Sequence, residues 1–317
     1  MSNNITETLA SMIHIATVHY QTPKWVEIQY RYLQKNLNDF RLYGFFDKSL
    51  DRKIADKYYF ASFTDVGPHY QKLDLLADII CHSAQSVNDI IIFLDSDAFP
   101  VAPVDKYIRT KLSAYPLIAI RRDEDNGTVH PHPAFCATQI KTWLALQSSW
   151  RLGPTGAIYQ HTGNPHMDTG GALLESLKSH HVSWYNLRRT NKIEIDSLSF
   201  GFYDSVIYHH GNGGGWSNAF LSGEERTALE QKIRTRLFYF LERVCLVGTD
   251  KLLRLINGLR DRFSPLALRN KELKRSNTEK VDWVFQIILD DISCEKFPLL
   301  ETEGSRLRAY SDPVQLP

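Results

Sequence analysis

The sequence predicts an α/β fold in which helices flank a mixed sheet, followed by a helical C-terminal region. Strand-like and helix-like patterns alternate from residue 12 to residue 216, which is typical of α/β proteins. The segment 89–94 (DIIIFL) is apolar towards both faces, as expected of an interior strand that helices cover on both sides. After Trp216 only helical periodicity remains. We therefore expect an α/β domain over residues 1–218 and a helical region over 219–317.

The elements of the α/β domain follow from local patterns taken in chain order. Short runs rich in β-branched and aromatic residues predict strands, over residues 12–20, 39–46, 58–63, 89–94 and 116–120, and a last strand that ends in a glycine-rich loop within residues 203–216. Apolar residues at helical spacing predict helices, namely after Pro23, from Gly67-Pro68, over 140–150 and shortly after residue 171. Two segments rich in polar residues, Gly and Pro are predicted to be irregular: residues 121–135 and 151–171.

The predicted helical region carries apolar stripes with polar residues on the opposite side. In one stretch, residues 249–263 (TDKLLRLINGLRDRF), the polar side is rich in Lys and Arg. Such a helix can dock on the α/β domain, on a second subunit as a homo-oligomer contact, or peripherally on an anionic membrane. The sequence leaves these three alternatives open.

Composition excludes several classes of protein. Hydrophobic residues make up 43% and charged residues 23% of the chain, which is ordinary for a folded domain and unlike a disordered one. A formal net charge of +1 gives no reason to expect nucleic acid as a partner. The four cysteines lack CxxC spacing, which argues against a zinc site or a disulfide framework. With no recognisable leader or spanning segment, we expect a cytoplasmic protein.

Two aspartates end the most apolar strand, in the stretch IIIFLDSDAF. Asp95 and Asp97 lie two positions apart, so both carboxylates can address one point while Ser96 faces away. In open α/β sheets, ligands collect outside the carboxyl ends of the strands, and hard oxygen ligands suit Mg²⁺ or Mn²⁺. The alternative is a turn in which each carboxylate caps a nearby backbone amide.

The late strand ends in a second set of candidate ligands. In VIYHHGNGGGW, His209 and His210 come before a glycine-rich segment that includes Gly213. Imidazole is an ordinary ligand for divalent metals, and glycine amides can approach phosphate oxygens closely. Adjacent strand residues point to opposite sides, so only one histidine should face the site. The alternative is a pair of histidines at a strand end before a flexible turn.

These motifs, in this order, resemble the metal-dependent, nucleotide-sugar-using glycosyltransferases of GT-A fold. The first strand MIHIATVHY with its helix, the helix HYQKLDLLADIICHS, the Asp-x-Asp stretch IIIFLDSDAF and the late histidine strand VIYHHG carry the resemblance, over roughly residues 12–216. The segment HHGNGGGW is similar to a His-Gly-Lys-Pro-Trp motif of some retaining families but lacks the Lys-Pro pair. Retention or inversion of the sugar configuration therefore stays open.

The resemblance implies a catalytic domain over residues 1–218 that uses Mn²⁺ or Mg²⁺, a UDP- or GDP-sugar donor, and a glycan or lipid-linked acceptor. Asp97 would ligate the metal, Asp95 would contact metal or donor, and His209 or His210 would complete the protein ligands. The remaining donor-binding candidates are Thr17, His19, Tyr20, Asp47, Lys72 and Gly213. The alternatives are packing for Tyr20, a turn cap for Asp47 and a solvated charge on a helix for Lys72.

An acceptor hydroxyl needs a base if the transferase is inverting. Asp168, in the stretch HMDTGG, is the candidate catalytic residue, and the alternative is that it caps the following helix. His130 and His132 are candidates to line the acceptor pocket. Two other functions compete with transfer: a haloacid-dehalogenase-type phosphatase with Asp95 as nucleophile, and a non-catalytic carbohydrate-binding protein of transferase fold.

Overall fold

The computed structural model describes residues 11–20, 23–121, 128–158, 164–190, 201–211 and 286–291. The chain divides into two compact units, one formed by 1–213 with 288–317 and the other by 214–287. Every element introduced below belongs to the first unit. The predicted boundary at 218 and the predicted helical stretches that follow it, except residues 286–291, lie outside the described residues.

The strands within these ranges are β1 (Ile13–His19), β2 (Phe40–Phe46), β3 (Phe60–Ser62), β4 (Ile90–Asp95), β5 (Ala98–Pro100), β6 (Leu117–Ile120), β7 (His132–Gln139), β8 (Leu152–Ile158), β9 (Pro165–Thr169), β10 (Tyr185–Leu187), β11 (Gly201–Tyr203) and β12 (Ile207–His209). The helices are α1 (Pro23–Asn36), α2 (His69–Ser83), α3 (Asp105–Ala114), α4 (Ile140–Ala145) and α5 (Gly171–Ser179), with a 3₁₀ helix at Arg52–Lys57.

The main sheet is mixed, as predicted. Seven of the described strands pair in the order β10-β6-β7-β4-β1-β2-β3. Strand β7 runs antiparallel to both β4 and β6, and the other pairs are parallel. Strands β1 and β4 are therefore interior neighbours that end at the same edge, with Val18 opposite Asp95. That edge is where ligands gather in open α/β sheets.

Strand β4 is buried on both faces, which confirms the prediction from its apolar run. Ile90, Ile92 and Leu94 belong to one buried cluster, together with residues of α1 and α3. Ile91 and Phe93 belong to a second cluster, together with residues of α2 and α4. Alternate side chains of one strand thus serve opposite layers of the core. This packing fixes where β4 ends, and hence where the aspartates begin.

Two smaller sheets correct the prediction of a single mixed sheet. The histidine-bearing strand β12 does not join the main sheet but pairs with β11 and β5. Residues 151–171, predicted to be irregular, contain the antiparallel hairpin β8–β9, whose buried positions Gly153, Thr155 and Ala157 are too small to give an apolar signal. Residues 132–135, also predicted to be irregular, begin β7. Pro133 is tolerated there because the pairing of β6 with β7 is interrupted by a bulge.

A short C-terminal segment belongs to the same unit. Asp291 is fully buried, and Tyr32 of α1 donates a hydrogen bond of 3.0 Å to its carboxylate. Ile288 is buried as well. Among the helices that the structure describes, none has the length and apolar character to span a bilayer.

Candidate metal and substrate site

Pairing between two very short strands brings the aspartates and the late histidine together. The chain leaves β4 at Asp95, turns through Ser96 and Asp97, and enters β5. Strand β12 pairs antiparallel with β5, with His209 opposite Ala98. The backbone N–H of His210 donates to the carbonyl of Asp97 at 3.0 Å. The end of the histidine strand is therefore hydrogen-bonded to the last residue of the Asp-Ser-Asp turn.

Asp95, Asp97 and His209 form the one group of potential metal ligands found among the described residues. His209 Nε2 lies 3.5 Å from Asp97 Oδ1 and 3.9 Å from Asp95 Oδ2. The side chains of Asp97 and His209 are nearly buried, whereas that of Asp95 is partly exposed. Two carboxylates brought this close need a positive partner, since like charges disfavour each other in a poorly solvated site.

The two His209 contacts fit a divalent cation in distance, and all three donor atoms fit it in chemistry. All three ligand atoms lie within 4.8 Å of one another, and ligands at about 2.1 Å from one ion are at most about 4.2 Å apart. The two His209 distances already meet that limit. Two hard oxygens and one imidazole suit Mn²⁺ and are compatible with Mg²⁺. These residues form a candidate metal site, with one carboxylate open towards solvent.

The two adjacent histidines have different surroundings. His209 faces the aspartates, whereas the ring of His210 is fully buried, with its centroid 4.9 Å from that of Trp25. Nδ1 of His210 lies 2.8 Å from the hydroxyl of Tyr208. Burial lowers the pKa of His210 to about 4, which keeps the ring neutral. The structure thus brings His209, and not His210, to the metal-ligand cluster.

Two residues near the cluster escape prediction from the sequence. Gln29 of α1 is buried, and its Nε2 donates to the carbonyls of Asp95 and Ala98, both at 2.8 Å. His69, the first residue of α2, has its Nε2 3.5 Å from Asp95 Oδ1. The sequence does hint at a role for Gln29, because it is a polar residue on the apolar face of α1, one turn from both Trp25 and Leu33. His69 has no comparable signal in the sequence.

The candidates at the end of β1 lie beside the cluster. Thr17 and His19 are buried and face the same side, with Thr17 Oγ1 3.4 Å from His19 Nε2. The ring of His19 stacks on Phe46 at 5.4 Å. Burial lowers the pKa of His19 to about 3, and Gln29 and the charge of Asp97 oppose this only in part. Tyr20, the next residue, is 50% exposed.

The other donor candidates have local partners. Asp47 Oδ1 accepts hydrogen bonds from the amide and hydroxyl of Ser49, which lower the pKa of Asp47 and match the turn-cap alternative. Lys72 Nζ lies 2.9 Å from Asp65 Oδ1, so its charge is paired with an exposed carboxylate. Gly213 lies outside the described residues.

Asp168 lies in β9 and does not cap α5, because the N-cap position is Gly170. Its Oδ1 accepts from the amide of Thr169 at 2.7 Å. Its Oδ2 lies 3.8 Å from Nε2 of His130, which is buried. The capping alternative is therefore wrong, and the carboxylate faces a histidine instead.

A row of histidine rings leads from Asp168 to the metal-ligand cluster. The ring centroids of His130 and His132 are 6.0 Å apart, and those of His132 and His209 are 5.8 Å apart. His132 is the first residue of β7, beside the bulge in the β6–β7 pairing, and bulges re-aim side chains. Imidazole rings both donate and accept hydrogen bonds. The row is thus suited to hydroxyl-rich ligands.

No protein-family model matches the sequence, and no curated protein matches it. Among solved structures, the chain is similar to the glycosyltransferase GlyE of Streptococcus pneumoniae TIGR4, with 11% identity and a TM-score of 0.34 over 44% of this chain and 36% of GlyE. It is also similar to the galactosyltransferase LgtC, solved with donor and acceptor sugar analogues, with 12% identity and a TM-score of 0.29 over 42% of this chain and 59% of LgtC. The chain spans less than two thirds of the length of either of these two proteins.

Proposed function

We propose that this chain is a GT-A-type glycosyltransferase that moves a sugar from a nucleoside diphosphate donor to a hydroxyl acceptor. The observation that carries the proposal is the cluster of Asp95, Asp97 and His209 at the carboxyl end of β4. A phosphate-bearing ligand at this edge would meet a divalent cation there. The fold places the ends of β1 and β4 side by side, so a nucleotide could extend along that edge.

The reaction needs negative charge to be stabilised as the donor breaks. The bond between the sugar C1 and the diphosphate oxygen breaks, its electron pair leaves with the nucleoside diphosphate, and a bond from C1 to the acceptor oxygen forms. A divalent cation bound by the three residues would neutralise the diphosphate, an effect worth several kcal/mol in such reactions. Mn²⁺ suits the imidazole ligand better than Mg²⁺ does, and we assign it as the preferred ion.

Asp168 is the residue we assign to the acceptor. Its side chain is 39% exposed, so a hydroxyl can reach the carboxylate, which would accept the hydroxyl proton as the new bond forms. His132, which is partly buried between His130 and His209, offers a hydrogen-bonding partner to the sugar or to the acceptor glycan. The acceptor in this proposal is a glycan, either free or lipid-linked.

The remaining donor contacts are assigned by position. Thr17 and His19 lie at the end of β1, and Tyr20 follows it at the edge of the sheet, where a base and ribose of UDP or GDP would lie. Lys72 would exchange its exposed partner Asp65 for a donor phosphate, since an exposed ion pair contributes only about 0–1 kcal/mol. Asp47 and Gly213 stay as further donor contacts in this proposal.

A screen of nucleotide-sugars for hydrolysis, with and without Mn²⁺, tests the proposal. We expect metal-dependent release of UDP or GDP from at least one donor. Two results would support other functions: hydrolysis of an aryl phosphate that is lost with Asp95→Asn, which indicates a phosphatase, or metal-dependent nucleotide binding without turnover, which indicates a non-catalytic protein. Absence of both binding and turnover would contradict the proposal.

A further inference from the structure

We infer that His130 is a positioning residue that holds the Asp168 carboxylate for the acceptor hydroxyl, an inference that rests on the proposed function. His130 is 2% exposed, and its Nε2 lies 3.8 Å from Asp168 Oδ2. The other oxygen, Oδ1, is held by the amide of Thr169. Each oxygen of the carboxylate therefore faces a nitrogen that can donate to it. Once His130 Nε2 closes to hydrogen-bonding distance, both oxygens are held and the carboxylate keeps one orientation towards the substrate.

The separation of 3.8 Å between His130 Nε2 and Asp168 Oδ2 suits a site that tightens on binding. Hydrogen bonds of acid and base groups are often long without substrate and shorten in the complex. His130 reaches bonding distance with a shift of under about 1 Å in a rotatable side chain. Asp168 is half-exposed while His130 is buried, so the acceptor meets the carboxylate and the histidine supports it from behind.

The backbone that carries His130 is fixed on two sides. The amide of Val129 donates to the carbonyl of Thr155 in β8 at 2.9 Å. Gly170 packs directly against the same segment, with a left-handed φ of 94°. A Cβ at Gly170 would lie 2.4 Å from the carbonyl oxygen of Pro131 and 3.3 Å from Cδ2 of His130. The glycines after Asp168 therefore allow the hairpin to close onto His130.

The neighbouring histidine connects this pair to the metal-ligand cluster. His132 Nδ1 accepts from the amide of Ala134 at 3.1 Å, so a neutral ring carries its proton on Nε2. A ring in that form does not offer a lone pair from Nε2 to a metal. His132 lies between the rings of His130 and His209 and is not one of the three grouped metal-ligand candidates, so the metal side and the acceptor side have separate residues.

Because His130 is assigned to act through Asp168, substitutions at His130 should lower activity in a specific pattern. His130→Phe keeps a ring of similar size in the buried position and removes both nitrogens. His130→Gln keeps an amide nitrogen near the place of Nε2. His14→Phe is the matched control, because His14 is also buried, with its Nε2 3.3 Å from Asp89 Oδ2, at the opposite end of β1 from the site.

The experiment measures two quantities in the full-length protein: the affinity for UDP and GDP with Mn²⁺, and the rate of nucleotide-sugar hydrolysis, in which water is the acceptor. We expect His130→Phe to leave nucleotide affinity within about twofold and to lower the hydrolysis rate on the order of 10- to 100-fold, the range typical of orienting partners. His130→Gln should recover most of the rate. His14→Phe should lower the thermal midpoint without lowering the rate of the folded enzyme.

Three results distinguish failure of the inference about His130 from failure of the proposed function. A His130→Phe variant that hydrolyses donor at the wild-type rate would overturn the inference. Equal loss in both His130 variants, together with weakened nucleotide binding, would also overturn it, because it would indicate a structural role only. A wild-type protein that neither binds UDP or GDP nor hydrolyses any donor would instead contradict the proposed function. If His130→Phe does not fold, the hydrolysis rates of His130→Gln and Asp168→Asn are compared instead. We expect Asp168→Asn to lose activity and His130→Gln to keep it.

Discussion

The side-chain amide of Gln29 donates a hydrogen bond of 2.8 Å to the backbone carbonyl of Asp95. The same nitrogen also bonds to the carbonyl of Ala98, on the other side of the turn. Helix α1 is thereby hydrogen-bonded to both ends of the turn that carries Asp95 and Asp97. A buried amide that satisfies two carbonyls stabilises a turn that would otherwise carry unpaired polar groups.

Replacing Gln29 with leucine should weaken metal binding without touching a ligand. The substitution keeps the volume and removes a hydrogen bond from one buried and one partly buried carbonyl, which should lower the free energy of unfolding by about 1–3 kcal/mol. We expect a lower affinity for Mn²⁺, measured by calorimetry, because the turn loses its support. Gln34→Leu is the control, since Gln34 lies on the exposed part of the same helix and bonds to Tyr30. Unchanged Mn²⁺ affinity in Gln29→Leu would refute this role.

Stability should fall in acid because of His19. Burial lowers the pKa of His19 from 6.5 to about 3, so between these values the unfolded chain binds a proton that the folded chain does not. The contribution of His19 to the free energy of unfolding therefore has its full value above about pH 6.5. It decreases as the pH falls towards 3, by at most about 1.4 kcal/mol per pH unit.

Thermal unfolding from pH 7 to pH 4 measures the effect. His19→Gln should show a shallower loss of stability with acid than the wild type, because its side chain does not titrate. Gln34→Leu, which removes no titrating group from an exposed position of α1, is the control and should leave the slope unchanged. A slope that is identical in the wild type and in His19→Gln would show that His19 titrates normally in the folded chain.

Gly170 should tolerate no side chain. Its φ is 94°, and a Cβ at this position would lie 2.4 Å from the carbonyl oxygen of Pro131, so a substitution combines backbone strain of about 1–2 kcal/mol with a steric clash. Gly170→Ala should lower the free energy of unfolding in urea by more than the strain alone. Gly67→Ala is the matched control: it also has positive φ, but the new methyl would meet the movable end of Gln71. Equal losses in the two variants would exclude the clash.

Local patterns predict the parts of the site that neighbouring residues encode. The apolar run before Asp95 and the spacing of Leu73, Leu76 and Ala77 are such patterns, and β4 and α2 form where they indicate. The choice between His209 and His210 depends on the pairing of β12 with β5, which joins residues about a hundred positions apart. A strand as short as β5 gives no periodic signal, so this pairing is not predictable from the sequence.

The acceptor side is hidden for a related reason. Hairpin β8–β9 is held by small residues and glycines rather than by an apolar stripe, and glycines of this kind indicate a loop in any sequence. The contact of Asp168 with His130 arises because that hairpin closes on the segment before β7. The residue types are visible in the sequence, but their pairing depends on the tertiary structure.

Asp97 is proposed to help hold a divalent ion that binds the donor diphosphate, and this is tested by titrating UDP and GDP with and without Mn²⁺. We predict that the wild type binds at least one nucleotide only with Mn²⁺, and that Asp97→Ala lowers this affinity at least about 100-fold, or about 2.7 kcal/mol. Asp78→Ala, on the exposed side of α2, should bind as the wild type does. Metal-dependent nucleotide binding that survives Asp97→Ala unchanged would contradict the account.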